Sequence, residues 1–285
     1  MNEWRHVNSR LYQQASFRLA AGCEFRPGGM DLTRELAVAC ALQPGDRVLD
    51  LACGVGSTAS YLSREWGANV SGLDASPEFL AEAKARDEDV EWVLGQADAL
   101  PFPDGRFDCV FAECFLSGYA DRAAVLREVR RVLRPGGYLA LSDMYLREPD
   151  AAPLTDLAPA ATCLRGARSK EDTLAAIESR CFRVTVWEDR SKALKGLMAS
   201  LIMAYGSAAA FWEAAAGESG GAGACDHTAG HTTADATGDG GGGCGPDAAC
   251  SAAARAAALS AARPGYYLLV AEATALPSAT AALGY

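Results

Sequence analysis

The stretch that decides the fold is Val48-Leu49-Asp50-Leu51-Ala52-Cys53-Gly54-Val55-Gly56-Ser57. Its short apolar run is typical of a buried strand, and the glycines that follow predict a tight turn. Without a Cβ atom, Gly54 and Gly56 would let a ligand approach the backbone closely. The next apolar run ends in Asp74, an acid placed to bind both hydroxyls of a ribose. The pattern indicates a nucleoside-containing ligand above the strand ends.

The glycine turn departs from two common phosphate-binding patterns. The dinucleotide fingerprint has a third glycine, where this chain has Ala59. A phosphate loop continues as Gly-Lys-Ser/Thr, and no such run follows Gly56. Because plain tight turns also use two glycines, this stretch alone leaves an ordinary turn open.

Apolar runs alternate with helical stretches on both sides of the turn, which predicts an α/β fold. We expect a seven-stranded, mostly parallel sheet with helices on both faces. The predicted strands are Arg47–Leu51, Val70–Leu73, Val90–Leu94, Phe107–Ala112, Tyr138–Ser142, Phe182–Trp187 and Tyr266–Ala271. The predicted helices include Glu3–Ala20, Met30–Leu42, Ser57–Glu65, Ala123–Leu133, Lys170–Ile177 and Lys192–Trp212.

Composition divides the chain into three parts. Residues 1–43 are expected to form a helical cover, and residues 44–190 with 263–274 the α/β domain. Residues 191–262 are expected to be a helix followed by a glycine- and alanine-rich insertion, partly disordered because it lacks large apolar side chains. Within it, Cys225, His227, His231, Cys244 and Cys250 could trap a soft ion. None of its cysteine pairs has C-x-x-C spacing, so no metal site is assigned.

The charge balance bears on partners and compartment. The net charge is −10, which disfavours nucleic acid and anionic membranes as partners. The uncharged run Gly196–Trp212 is shorter than a membrane span. The start of the chain lacks the apolar core of a secretion signal, and the ten cysteines suit a reducing compartment. We therefore expect a cytoplasmic protein.

Two further motifs strengthen the ligand prediction. Gly95-Gln96-Ala97-Asp98-Ala99-Leu100-Pro101-Phe102 follows the third strand, and Leu126–Gly137 ends in Arg-Pro-Gly-Gly. With these motifs, the chain resembles class I S-adenosylmethionine-dependent methyltransferases over about Leu32–Trp187. The resemblance implies a Rossmann-like fold, S-adenosylmethionine as cofactor and methyl transfer to a small acceptor.

The resemblance also implies cofactor contacts, residue by residue. Asp50 and the glycine turn would face the methionine part and the ribose, Asp74 would bind the ribose hydroxyls, and Asp98 would bind the adenine amino group. Ala52 departs from the glycine often found in the family. The cofactor-binding positions are Asp50, Ala52, Gly54, Gly56, Asp74, Ala75, Asp98, Ala99, Leu100 and Glu113.

Two cysteines follow predicted strands at the cofactor edge of the sheet. Cys114 and Cys163 could together hold a soft metalloid such as As(III), whose lone pair needs no general base. Around Glu113-Cys114 and Thr162–Ala167 the chain resembles arsenite methyltransferases, which implies catalytic thiols at both cysteines. The further cysteine of those enzymes is missing from Ser57-Thr58-Ala59-Ser60. Small half-buried thiols, an organic O-, N- or C-acceptor and a catalytically silent cofactor-binding module remain alternatives.

Overall fold

The computed structural model describes residues 12, 14–22, 24–148, 163–217 and 262–275. Within them the helices are α1 Ala15–Ala21, α2 Gly29–Ala39, α3 Ser57–Trp66, α4 Pro77–Arg86, α5 Arg122–Val132, α6 Lys170–Glu178, α7 Ser191–Tyr205 and α8 Ala208–Gly217. The strands are β1 Arg47–Leu51, β2 Asn69–Asp74, β3 Glu91–Leu94, β4 Phe107–Glu113, β5 Leu133–Leu146, β6 Arg168–Ser169, β7 Phe182–Asp189 and β8 Pro264–Ala273. Short 3-10 turns cover Leu116–Gly118 and Cys163–Gly166.

The strands form one mixed sheet. Its order is β3-β2-β1-β4-β5-β8-β7, and β6 pairs with β5 at the side. Only β8 runs antiparallel to its neighbours β5 and β7. The predicted α/β class and mostly parallel sheet are confirmed, with eight strands instead of seven. The extra strand β6 has two residues, too few to produce a periodic pattern in the sequence.

Helices cover both faces of the sheet because successive side chains of a strand point to opposite sides. Phe111 in β4 packs with Leu36 and Leu62 on one face. Its neighbour Val110 packs with Val129 of α5 on the other face. The parallel strands β1, β2 and β4 therefore end at one edge, where Leu51, Asp74 and Glu113 lie.

Several boundaries differ from the predicted ones. The single helix expected at Lys192–Trp212 is two helices, α7 and α8, because Gly206 takes a left-handed conformation with φ of 83° at the break. Strand β5 is longer than the predicted Tyr138–Ser142, because its pairing with β8 continues to Leu146. Of the helix expected at Glu3–Ala20, the described part is Tyr12 and α1, separated by the extended backbone of Gln14.

Two expectations concern segments that the description does not reach. The part of the insertion between α8 and residue 262 lies outside the described residues, and with it the soft-ion residues Cys225, His227, His231, Cys244 and Cys250. The partial disorder of residues 191–262 therefore stays a prediction. Among the described helices, no single one is long and apolar enough to cross a membrane. Helices α7 and α8 reach that length and composition only when taken together across a bend of 85°.

Candidate active site

The turn after β1 contains three residues with left-handed backbone. Ala52, Gly54 and Gly56 have φ angles of 61°, 54° and 77°. A Cβ atom added to Gly54 would meet nothing within 4 Å, so this glycine borders open space. A Cβ atom added to Gly56 would overlap the Trp92 ring and lie 2.9 Å from the Cβ of Ala83. Packing against Trp92 therefore requires glycine at position 56, whereas Gly54 leaves room for a ligand; contact of Gly56 with a ligand stays a prediction.

Asp74 fastens the turn to the end of β2. Its carboxylate accepts hydrogen bonds from the backbone N–H of Gly54 and of Ser76, both at 2.9 Å. Each carboxylate oxygen has a second acceptor position, and the residue lines the cleft above the turn. Burial raises the pKa of Asp74, although these N–H donors oppose the rise. Asp74 is thus placed to accept further hydrogen bonds from a ligand.

Asp50 is a buried acid below the same turn. One of its oxygens accepts a hydrogen bond from the N–H of Ala59 at 3.0 Å. Burial, followed by the nearby Glu113 carboxylate, raises the pKa of Asp50 to about 7. Asp50 therefore changes its charge near neutral pH.

We expect the free energy of unfolding to fall as the pH rises from about 4 to about 7. The unfolded chain releases the Asp50 proton near pH 4, whereas the folded protein holds it up to about pH 7. The folded state then binds more protons across this window, so stability decreases with pH, by at most about 1.4 kcal/mol per pH unit from this group. Asp50→Asn keeps the bond from Ala59 and should flatten the slope in urea titrations across the window. An unchanged slope in this variant, matching that of the exposed Asp89→Asn control, would contradict the assignment.

A buried ion pair joins the cover to the sheet. Arg26 Nη2 lies 3.0 Å from Glu113 Oε2, with side chains only 6% and 4% exposed. Thr58 donates to the same oxygen at 2.8 Å, and Thr33 lies 3.1 Å from both carboxylate oxygens. Among the described residues, the buried Nε of Arg26 has no hydrogen-bond partner. It offers a free donor for an anionic group in the cleft.

No sequence pattern predicts this role of Arg26, which belongs to the helix-breaking stretch Arg26-Pro27-Gly28-Gly29 before α2. This arginine stands immediately before a helix break, so it is not part of a solvated helix face. That position could have marked it as a candidate functional residue. Glu113 was predicted to contact the cofactor, and it lines the cleft. Its carboxylate, however, is paired with Arg26 and hydrogen-bonded to Thr33 and Thr58. In the structure, the Glu113 carboxylate binds the Arg26 guanidinium.

The cleft above these residues has a volume of about 260 Å³. The predicted residues that line it are Asp50, Ala52, Gly54, Asp74, Ala75 and Glu113. On the β3 side the lining ends at Gly95–Ala97. Asp98, Ala99 and Leu100 lie beyond it, and Leu100 is buried in the core. Their contact with an adenine ring stays a prediction.

The structure brings the two predicted thiols together at one end of the cleft. Cys114 Sγ lies 3.3 Å from Cys163 Sγ, and Cys163 Sγ lies 2.8 Å from the carbonyl oxygen of Cys114. The Tyr12 hydroxyl is 3.9 Å from Cys163 Sγ. A carboxylate oxygen of Asp143 and both sulfurs lie within 4.8 Å of one another. The hydrogen bond to Cys163 and burial raise the pKa of Cys114 well above its usual value, so this thiol keeps its proton at neutral pH.

A second cavity begins at the thiols. It has a volume of about 350 Å³, and its walls are mostly apolar side chains of α1, α7 and α8. The side chains that line both this cavity and the cleft are Tyr12, Phe25, Cys114 and Cys163. Two ligands could therefore meet at these four residues.

Residues 49–141 match a family described as "Methyltransferase domain". The chain contains a class I methyltransferase domain. The S-adenosylmethionine-dependent class predicted from the motifs is confirmed, and S-adenosylmethionine is the cofactor of that class. The matched residues include β2–β4, most of β1 and β5, and the turn described above.

Curated relatives of the methyltransferase domain align over less than half of the chain. An uncharacterized methyltransferase of Synechocystis is 43% identical over 107 residues, 37% of this chain and 50% of that protein. The 2-methyl-6-phytyl-1,4-hydroquinone methyltransferase of the same organism is 35% identical over 40% of this chain and 36% of its own length. The 27-O-demethylrifamycin SV methyltransferase of Amycolatopsis mediterranei is 41% identical over 40% and 44%. The alignments thus span half or less of these relatives.

Solved structures extend the likeness of fold to nearly the whole chain. The cyclase SpnF superposes with a TM-score of 0.69 at 22% identity, over 95% of this chain and 96% of that chain. A phosphoethanolamine N-methyltransferase of Haemonchus contortus superposes with a TM-score of 0.67 at 15% identity, over 96% and 61%. At these identities the likeness shows the fold of the methyltransferase domain and its surroundings.

Proposed function

We propose that this chain transfers the methyl group of S-adenosylmethionine to a small acceptor that enters through the apolar cavity. One observation carries the proposal: the cofactor cleft and the apolar cavity share the walls formed by Tyr12, Phe25, Cys114 and Cys163. Methyl transfer is an in-line displacement, so the enzyme has to bring two reactants into line and exclude water. Two cavities that meet end to end provide that arrangement.

The residues of the cleft fit S-adenosylmethionine. The unpartnered Nε of Arg26 would bind the cofactor carboxylate, and Asp74 would accept hydrogen bonds from the ribose hydroxyls. The open side of Gly54 leaves room for the nucleoside. When bound, the cofactor supplies an electrophilic methyl group on a sulfonium.

The residues at the junction position and desolvate the acceptor. Burial raises the pKa of Tyr12, and Cys114 also keeps its proton at neutral pH, so neither group serves as a general base there. An acceptor that loses a proton on methylation would therefore release it to water and not to these two side chains. Phe115 and Tyr119, whose rings are 5.3 Å apart, line the cleft and help to exclude water.

The walls of the acceptor cavity favour an organic acceptor with an apolar body. Leu194, Leu197, Leu201, Phe211 and Trp212 line it, and burying such a body there is stabilised by the hydrophobic effect. One relative is named for a phytyl-substituted hydroquinone, an acceptor of this kind. We place the acceptor of this chain in the same broad class.

A metalloid is the second candidate acceptor. The 3.3 Å separation of the Cys114 and Cys163 sulfurs is short enough for both to bind one As(III) as substrate. Binding would release the thiol protons, since thiolates are the ligands of soft ions. The short distance between the two sulfurs supports this candidate, whereas the apolar cavity supports the organic one.

Turnover to S-adenosylhomocysteine separates the two candidates. We expect turnover with an alkyl-substituted hydroquinone, and we expect Cys114→Ser and Cys163→Ser to leave most of it in place. If arsenite is the acceptor, each serine variant should instead abolish arsenite-dependent turnover without changing cofactor affinity, because a single soft ligand loses the chelate. Cys181→Ser, a half-buried thiol away from both cavities, is the control.

Variants in the apolar cavity test the organic acceptor in the same assay. Leu197→Trp should block an organic acceptor, and Ile202→Trp on the exposed side of α7 should not. Cofactor bound without turnover in the presence of hydroquinones, arsenite or a metabolite extract would overturn the enzyme proposal and leave a silent cofactor-binding module.

A further inference from the structure

A third cavity lies beside the site and has a different chemical character. Its volume is about 550 Å³, and it is bordered by the 3-10 turns, β6 and the helices α5 and α6. The arginines that line it are Arg122, Arg165, Arg168 and Arg180. The acids that line it are Asp121 and Asp172. Arginine is therefore concentrated at one cavity of a chain whose net charge is −10.

Three of these four arginines are not neutralised by an ion pair within the described part of the chain. Arg122, Arg168 and Arg180 form no ion pair there, whereas Arg131, Arg134 and Arg190 elsewhere all do. Asp121 uses one carboxylate oxygen to cap α5, accepting from the N–H of Ala124 at 2.8 Å. The wall of the cavity thus carries an excess of positive charge.

Hydrogen bonds fix the positively charged side chain of Arg122 at the wall of the cavity. Its guanidinium is fixed by the carbonyl oxygens of Ser117, at 3.1 Å, and of Gly166. Burial is the main cause that lowers the pKa of Arg122; the Asp143 carboxylate opposes this shift, and the charge of Arg168 adds to it. Two like charges held near each other repel, and an anion between them would offset that repulsion. Planar guanidinium groups are the side chains that best match phosphate and carboxylate oxygens.

We propose that this cavity binds a small-molecule anion with two or more phosphate or carboxylate groups. The site is separate from the cofactor cleft, yet Gly118, Tyr119 and Ala120 line both. Ser117 also lines the cavity and donates its N–H to Asp143 at 2.6 Å, beside the two thiols. A bound anion would hold the turn at Leu116–Gly118, and the walls of the methyl-transfer site with it.

Calorimetric titration of the full chain with inorganic pyrophosphate, and separately with citrate, at low ionic strength tests the proposal. We expect saturable binding with a Kd below about 1 mM for at least one of them. The pyrophosphate arm and the citrate arm distinguish phosphate from carboxylate recognition. Arg168→Glu/Arg180→Glu should weaken binding by roughly tenfold or more, since it replaces charge-assisted bonds by repulsion.

The control for total charge is Arg34→Glu/Arg127→Glu, in which two exposed arginines away from the cavity are reversed. It should bind the anion nearly as the unchanged protein does. Arg168→Glu alone, at an exposed position, keeps the test valid should the double variant fold poorly. Absence of saturable binding to both anions, or an equal loss in the control, would overturn the proposal. Because binding is measured without turnover, the result is independent of the proposed function.

Discussion

Replacing Glu113 by alanine should lower the free energy of unfolding by about 3–5 kcal/mol, because it leaves the Arg26 charge buried without its partner. Both side chains are almost fully buried, and Thr33 and Thr58 complete the network around the carboxylate. The loss should appear in urea or thermal unfolding of the full chain. A charge that cannot be solvated is costly, so this is the largest stability effect we expect of any single replacement.

The matched control is an ion pair of the same type on the surface. Arg18 and Glu82 are 2.8 Å apart with side chains 30% and 46% exposed, and Glu82→Ala should cost less than about 1 kcal/mol. Replacing both partners, as in Arg26→Met/Glu113→Leu, should recover part of the loss. A Glu113→Ala variant no less stable than Glu82→Ala would show that the buried pair is not formed.

Replacing Asp74 by alanine should weaken binding of S-adenosylmethionine by roughly ten- to a hundredfold, which corresponds to about 1.5–3 kcal/mol for charge-assisted hydrogen bonds. The carboxylate also fastens the N–H groups of Gly54 and Ser76, so part of the effect comes from a looser turn. Asp74→Asn retains one acceptor oxygen, so its cofactor affinity should lie between those of the unchanged protein and Asp74→Ala. Calorimetry with the cofactor and its demethylated product gives the affinities.

Exposed Asp89→Ala is the control for the Asp74 variants, since it removes an acid away from the cleft. Its cofactor affinity should match that of the unchanged protein. Unfolding curves measured beside the titrations establish that each variant is folded. An Asp74→Ala protein that is folded and binds the cofactor with unchanged affinity would remove Asp74 from the site.

The cofactor half of the fold could be predicted because its signals are local. Strand β1, the turn and β2 follow one another within 30 residues, and each leaves a pattern of apolar runs, glycines and acids. The two thiols could also be paired in advance, because the carboxyl ends of parallel strands share an edge. The packing that requires glycine at position 56 could not be predicted, because the ring of Trp92 comes from a strand that starts 35 residues later.

What the sequence could not reveal depends on contacts between distant segments. Arg26 acquires its role only when the cover places it against Glu113, 87 residues away in the chain. Tyr12 reaches Cys163 across 151 residues. The arginine-lined cavity draws on two helices, two turns and β6, so its arginines come together only in the folded chain. Neither hydrophobic periodicity nor local motifs encode such distances.

The cleft and the apolar cavity are formed by different segments of the chain. Most residues that line the cleft lie within the segment 49–141 that matches the methyltransferase family, and the exceptions are Tyr12, Glu24, Phe25, Arg26 and Cys163. The acceptor cavity is built mainly from stretches before and after that segment, including Phe17, Leu197 and Trp212. Acceptor preference in this architecture is thus free to diverge through the flanking helices while the methyl donor stays the same.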